Sequence, residues 1–368
     1  MIDFALLGHP ASAEHLAVYQ PHADRQTLSA AFESLPPFVV ETDLIIPAPD
    51  GAPLRGKLIV VTFLPENLDS PKGLANANHK TREACRLAKD MGAKIVGLGG
   101  FTSIAIGAHA VAISYELDMA LTSGNSLTAA LALRQLDLLL SRLGWNLKNK
   151  TVAVLGAGGD IGRACAMAIA PQVGRLIAVG RNRAKLDDLA SNLPPHFRRP
   201  ASDFRLSTDP RAALDADILL AATSAGKAIL AESDLRPGAI VCDISYPKTL
   251  SYSSHPRDDV LIFSGGIAET PFTLDIAPYV GLPLPYLLHG CFSETIALAL
   301  AGRYESYSIG QGQITVQRMQ AILDLAQAYG FLPAPLYRGQ HLLDESALET
   351  FRNSSPQRHG EHRDSVSL

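Results

Sequence analysis

LKNKTVAVLGAGGDIG, residues 147–162, decides how the chain is built. A short β-branched apolar run, TVAVL, gives way to Gly156, Gly158 and Gly162, a G-x-G-x-x-x-G spacing at the mouth of a helical pattern. Small residues at such a junction allow a tight turn and let backbone N–H groups approach a pyrophosphate at the helix N-terminus. Gly159, Asp160 and Ile161 complete the turn. The spacing is one residue longer than the common G-x-G-x-x-G, and a turn that binds nothing is the plainer alternative. The flanking pattern favours a nucleotide. LIAVGRN (176–182), DILLAAT (217–223) and AIVCDIS (239–245) alternate with helical stretches, the rhythm of a Rossmann-type, doubly wound parallel sheet in an α/β protein.

Strand ends distinguish the cofactor. An NAD site usually places an acid about 20 residues past the glycines, on the ribose 2′-hydroxyl. Here AVGRNRAKL (178–186) offers Arg181, Asn182 and Arg183, with no acid before Asp187. A cationic cluster suits a 2′-phosphate and so favours NADPH; a solvated basic loop is the other reading. Thr223 and Ser224 in AATSAG (221–226), and Tyr246 in SYPKTL (245–250), stand where the rest of the dinucleotide would lie. Lys248 would reach the same cleft or remain a surface lysine.

Upstream, KLIVVTFL (57–64), NHKTREACRLAKDMG (78–92) and KIVGLGG (94–100) read as strand, helix and strand. Residues 1–125 therefore read as an N-terminal α/β substrate domain. TSGNSLTA (122–129) starts a connecting helix over 126–146, and the Rossmann domain spans 147–270. Residues 271–337 are first Pro-rich, then helical over 291–302 and 313–329. Residues 338–368 read as a polar tail, disordered from about Arg352.

A chain of 368 residues leads one to expect two domains, and its net charge of −4 gives no overall pull toward nucleic acid. The greasiest stretch, 127–145, is interrupted by Arg134, Asp137 and Arg142, and the N-terminus lacks a secretory pattern. Cys85, Cys165, Cys242 and Cys291 show neither CxxC spacing nor a disulfide framework, so a cytoplasmic protein with reduced thiols is expected. No HExxH or clustered His/Cys/Asp set argues for a metal.

Three of the cysteines fall inside helices or strands and read as packing. Cys291, in HGCFSETIALAL (289–300), opens a helix after Gly290, where first-turn N–H groups would aim at its sulfur or at an adjacent oxyanion. It reads equally as a nucleophile or as a small apolar residue. His289 would act as a base beside it. Glu294 would move a proton, raise the thiol pKa, or simply favour the helix N-terminus. Ser123, Asn125 and Thr128 would face the cleft or merely cap the connecting helix.

In this order the segments resemble the cyanobacterial long-chain acyl-[acyl-carrier-protein] reductases, from residue 2 to about 335. IDFALLGHP resembles that family's GLIGH segment, and FLPE (63–66) and LGGFTSI (98–104) look like its blocks. TSGNSLTA resembles TTGNTHTA, GAGGDIG resembles GATGDIG, and SYPKTL resembles GYPKNL. SGGIAE (264–269) is similar to NGGVVE, CFSE (291–294) to CFAE, and GQGQIT (310–315) to GRNQIT. The resemblance implies NADPH-dependent reduction of a long-chain acyl thioester to the aldehyde. The acyl carrier would be acyl-carrier protein or CoA, and Cys291, by motif the family's nucleophile, would form the acyl-enzyme. Lys248 would meet phosphate or carbonyl oxygen, with Ser123 in the cleft, and a hydrophobic product would bring the protein to a membrane surface. His289-Gly290 replace the family's Phe-Ala, Leu127 replaces a His, and Gln311 and Gly312 replace Arg and Asn, differences that bear on chain length and carrier. The two-domain plan is more distantly similar to shikimate dehydrogenase and glutamyl-tRNA reductase. Two other readings stand beside it: a dehydrogenase of a small hydroxy or keto acid, with Lys248 as acid/base, and an NADPH-binding protein without turnover.

Overall fold

The computed structural model describes residues 1–17, 24–49, 51–195, 203–310 and 312–355. Short, wholly apolar runs form two largely parallel sheets, as expected for strands covered on both faces. The first runs β2-β3-β1-β4-β5, from β1 (Phe4–Gly8), β2 (Phe38–Ile46), β3 (Leu54–Val60), β4 (Ile95–Leu98) and β5 (Ala120–Thr122). Only its edge strand β2 is antiparallel. Around it lie α1 (Ala13–Ala17), α2 (Arg25–Ser34), α3 (Pro71–Asp90), α4 (Thr102–Ile106) and α5 (Ala110–Glu116). α3 shows why such helices begin where they do: Ser70 Oγ accepts from Gly73 N at 3.0 Å, and Pro71 opens the first turn.

From Asn125 to Leu143 a long helix, α6, joins the two sheets and stops at Gly144, which takes a left-handed φ of 68°. The second sheet contains β6 (Thr151–Leu155), β7 (Arg175–Val179), β8 (Phe204–Ser207) and β9 (Ile218–Ala221). A separate small pair, β10 (Leu230–Ala231) and β12 (Leu250–Ser251), flanks β11 (Ile240–Asp243), and β13 (Leu261–Ser264) closes the sheet. The order β8-β7-β6-β9-β11-β13, all parallel, is the 3-2-1-4-5-6 order of Rossmann folds. Its helices α7 (Asp160–Ile169) and α8 (Arg183–Asn192) follow β6 and β7. The order reverses between β6 and β9, which puts the binding crevice at their carboxyl ends.

The C-terminal third does not form a separate unit. A three-stranded antiparallel sheet is built from β14 (Ile267–Glu269), β15 (Leu287–His289) and β16 (Leu332–Pro333), with α9 (Ala277–Val280), α10 (Gly290–Leu300) and α11 (Val316–Ala328) between them. α10 returns to the first sheet and packs on β1, β4 and α6. One apolar cluster therefore joins Phe4, Leu6 and Ile95 of the first sheet to Val152 and Val154 of the second, through Leu131 of α6 and Ile296 of α10.

Residues 338–355 correct the expectation of a polar tail. A hairpin of β17 (Tyr337–Arg338) and β18 (His341–Leu342) leads into α12 (Glu345–Ser354), which buries Leu348 and Phe351. Phe351 meets Trp145 at 6.2 Å between ring centroids. Two apolar residues three apart suffice to dock one face of a mostly polar helix. The disorder expected past Arg352 otherwise concerns residues 356–368, which lie outside the described residues, as does Gln311.

Candidate active site

The parallel strands of both sheets point their carboxyl ends at one cavity of about 1160 Å³. The first sheet contributes Gly8 and His9 after β1, Leu98 to Phe101 after β4, and Ser123 and Asn125 after β5. The second contributes the turns after β6, β7, β9 and β11, and α10 adds Cys291 and Phe292.

The residues of the β6 turn fit a dinucleotide. Gly156 has φ +93°, and a Cβ there would lie 2.1 Å from Ala222 O, so the turns after β6 and β9 touch at the reversal point. α7 begins at Gly159 with no side-chain cap, which leaves its first-turn N–H groups for an anion. Gly158, Gly159, Asp160 and Ile161 line the cavity; Gly162 does not, since it packs behind the turn against Gly156. Beyond β7, Arg181, Asn182 and Lys185 line the wall. Arg181 donates to Ser224 Oγ at 3.3 Å, and Asn182 Oδ1 caps α8 by accepting from Lys185 N at 3.1 Å. Arg183 is not in the lining and pairs instead with Asp187 at 2.9 Å, because one helical turn brings the two together on the exposed face of α8. Thr223, Ser224 and Tyr246 all line the cavity, Thr223 tied to Thr249 at 3.0 Å.

Cys291 sits where two helix starts converge. A Cβ on Gly124, at the start of α6, would lie 2.1 Å from Cys291 Cα, and one on Gly290 would lie 2.7 Å from Thr128 Cα. Neither helix has a side-chain N-cap. In α6 the free N–H groups are taken: Leu127 N donates to Glu294 Oε2 at 3.0 Å and Ser126 N to Ser308 Oγ at 3.3 Å. In α10 they remain at the thiol. Burial pushes the Cys291 pKa up to about 11, while the N–H groups of Gly100, Phe292 and Cys291 itself pull it down and the Glu294 charge adds to the rise. The donors expected from sequence are present, yet burial outweighs them and the resting group is a neutral thiol. Cys85, Cys165 and Cys242 are fully buried in the two cores.

Ser123, Asn125, Thr128 and His289 also line the cavity. Ser123 Oγ donates to Ser308 O at 2.6 Å and Thr128 Oγ1 to Gly124 O at 2.9 Å, so both hydroxyl protons are spent on backbone. His289 Nε2 donates to Val280 O at 2.9 Å, and burial, with the Lys248 charge adding to it, lowers its pKa to about 4. It is a neutral ring at pH 7.

Two expected cleft residues are placed elsewhere. Lys248 is not in the lining; its ammonium folds back to Asp243 O at 2.8 Å, and burial lowers its pKa. Glu294 lies one turn deeper in α10, wholly buried, where its carboxylate accepts from Thr122 Oγ1 and from Leu127 N. It braces the start of α6 rather than facing substrate. Among the described residues no three His, Cys, Asp or Glu side chains gather as a metal site, and no helix is long and apolar enough to cross a membrane.

His9 and Gly100 had no role assigned from sequence. The signal was present: each follows a buried parallel strand at its carboxyl end, where ligands bind.

Residues 137–264 match the shikimate/quinate 5-dehydrogenase family model. The L-tryptophan dehydrogenase of Nostoc punctiforme superposes on 96% of this chain and 87% of its own, at 13% identity and a TM-score of 0.36. The aminotransferase PigE of a Serratia species is 33% identical over 78% of this chain, which spans only 33% of that longer protein. The resemblance carried by the ordered motifs holds along nearly the whole molecule, for this chain is 29% identical over 356 residues, 90% of its own length and 99% of the other's, to the long-chain acyl-[acyl-carrier-protein] reductase of Synechococcus elongatus.

Proposed function

We propose that this protein is an NADPH-dependent reductase of fatty acyl thioesters, carried on acyl-carrier protein or CoA, that forms the aldehyde through an acyl-enzyme on Cys291. The observation that carries the reading is the position of Cys291: it is half-buried rather than sealed in the core, it opens α10, and it shares one cavity with the β6–α7 glycine turn.

The chain's own groups account for the steps around the thiol. Cys291 Sγ bonds to the acyl carbonyl carbon, the carbon–sulfur bond to the carrier breaks, and the carrier thiolate takes the proton that Cys291 gives up. The N–H groups of Gly100, Cys291 and Phe292 stabilise the oxyanion that forms on the carbonyl oxygen. Gly158 and Gly159 with the α7 N-terminus would hold the pyrophosphate, and Arg181 and Lys185 the 2′-phosphate. Bound there, NADPH would supply hydride to the acyl carbon. Collapse of the resulting tetrahedral oxyanion would break the bond to Sγ, release the aldehyde and leave the sulfur as a thiolate, which takes a proton from solvent to restore the resting thiol. Apolar walls at Leu98, Phe101, Ile104 and Ile309 suit an acyl chain.

Wild type and Cys291→Ala would be incubated with NADPH and a series of acyl-carrier-protein and acyl-CoA thioesters. Wild type is expected to yield aldehyde and, without NADPH, an acyl adduct on Cys291 seen by mass spectrometry; the variant is expected to bind NADPH and yield neither. Aldehyde formation that survives in Cys291→Ala would overturn the reading.

A further inference from the structure

We propose that His9 is a positioning residue for Cys291, holding the turn after β4 so that the Gly100 N–H faces the thiol. Phe101 N donates to His9 Nε2 at 2.8 Å, and an amide nitrogen can only donate, so Nε2 carries the lone pair. The ring proton therefore sits on Nδ1, which donates to Pro10 O at 2.8 Å. Ring contacts fix the tilt: Phe63 stacks at 4.9 Å between centroids, Phe101 meets an edge at 5.8 Å, and Tyr246 stands at 6.0 Å. Gly100, with φ +56°, abuts the Nε2 edge of the ring, where a Cβ would come 2.5 Å from Nε2 and 3.4 Å from each neighbouring ring carbon. Of the three N–H groups at the thiol, those of Cys291 and Phe292 are held by α10 itself. The Gly100 N–H comes from a different element and needs its own support, which His9 supplies. Burial lowers the His9 pKa to about 4, with the nearby His15 acting in the same direction, so the acceptor persists through neutral pH.

The inference rests on the reading of Cys291 as nucleophile, and its test is chosen to separate the two. In full-length protein, His9→Gln places an amide oxygen near the position of Nε2. His9→Asn places one near Nδ1, out of reach of Phe101 N. The rate at which iodoacetamide labels the Cys291 peptide would be followed by mass spectrometry from pH 7 to 10, alongside NADPH affinity and turnover. His9→Asn is expected to label about tenfold more slowly at a given pH, as loss of one donor to a thiolate implies, while His9→Gln stays within about threefold of wild type. With an active thioester substrate, kcat should fall in His9→Asn and not in His9→Gln, with KM for NADPH unchanged. Equal labelling of all three proteins, or an equal loss in both variants, overturns the inference. Should His9→Asn fail to fold, His9→Phe, which keeps the ring stack and lacks the acceptor, takes its place. If wild type reduces no thioester, the proposed reaction falls and the labelling comparison still decides the role of His9.

Discussion

Glu294 illustrates how a charged residue one turn from the cavity-lining Cys291 can serve architecture. Its carboxylate is fully buried and accepts from Thr122 Oγ1 and Leu127 N, closing the seam between β5, α6 and α10. Removing it in Glu294→Ala leaves a buried amide donor without a partner and a cavity, a cost of about 3 kcal/mol in urea unfolding. Glu294→Gln keeps the volume and one oxygen, and is expected within about 1 kcal/mol of wild type at pH 7. Burial is the main cause raising the carboxyl pKa, opposed by Thr122, Ser308, Leu127 and Arg318. A folded pKa above the unfolded value means that protonation stabilises the fold. Wild type should therefore gain on Glu294→Gln as pH falls through the folded pKa toward the ordinary carboxyl range, with the gain complete below it. A gap that moves the other way would mean the carboxylate is held as a favoured anion. Sequence offered three roles for this residue: its charge does add to the rise of the Cys291 pKa, and it does serve a helix start, but that of α6 rather than of its own helix. The spacing from Cys291 places Glu294 one turn on, but not which neighbour covers that turn.

The β7–α8 turn is the element on which the proposed preference for NADPH over NADH is tested. Arg181 and Lys185 line the cavity there, and no acid occupies the end of β7. Arg181→Ala is expected to weaken NADPH binding about tenfold and NADH binding little, measured by titration of nicotinamide fluorescence, since one charge-assisted contact to a phosphate is lost. Equal weakening of both would place the guanidinium on a group common to the two cofactors. This turn and the β6–α7 junction were legible because their chemistry is local: glycines where backbones touch, cations where an acid usually stands. α12 was not legible, because Leu348 and Phe351 are too few to set a period and their partner Trp145 lies some two hundred residues earlier. The return of α10 to the first sheet was hidden for a related reason. Its run Phe292, Ile296, Ala299 marks a buried helix, and periodicity does not say against which sheet a helix is buried.

Two sheets with a cofactor cleft between them suggest two bodies joined by α6, yet the packing argues for one cooperative unit. The parallel, doubly wound character of the second sheet was expected from the alternation of strand and helix, and that sheet has a complete set of its own strands. The first sheet does not have a complete cover. α10, more than 160 residues after β5, lies on β1 and β4 and carries Phe292, Ile296 and Leu298, all buried. Burying three such side chains is worth roughly 5–8 kcal/mol, as large as the whole net stability of many domains. The first sheet stripped of α10 would therefore have little stability left, and α10 cannot leave without disturbing α6 and α11, which pack on α7, the helix that follows β6 of the second sheet. Unfolding in urea should accordingly show a single transition. Far-UV circular dichroism reports both sheets, and the fluorescence of Trp145, the chain's one tryptophan, reports the junction under α12. Their midpoints should coincide with each other and with loss of NADPH binding at sub-saturating cofactor. A first transition that abolishes Cys291 protection from iodoacetamide while Trp145 fluorescence stays native would show that the sheet bearing the thiol's support unfolds alone, and that the shared core does not couple the two halves.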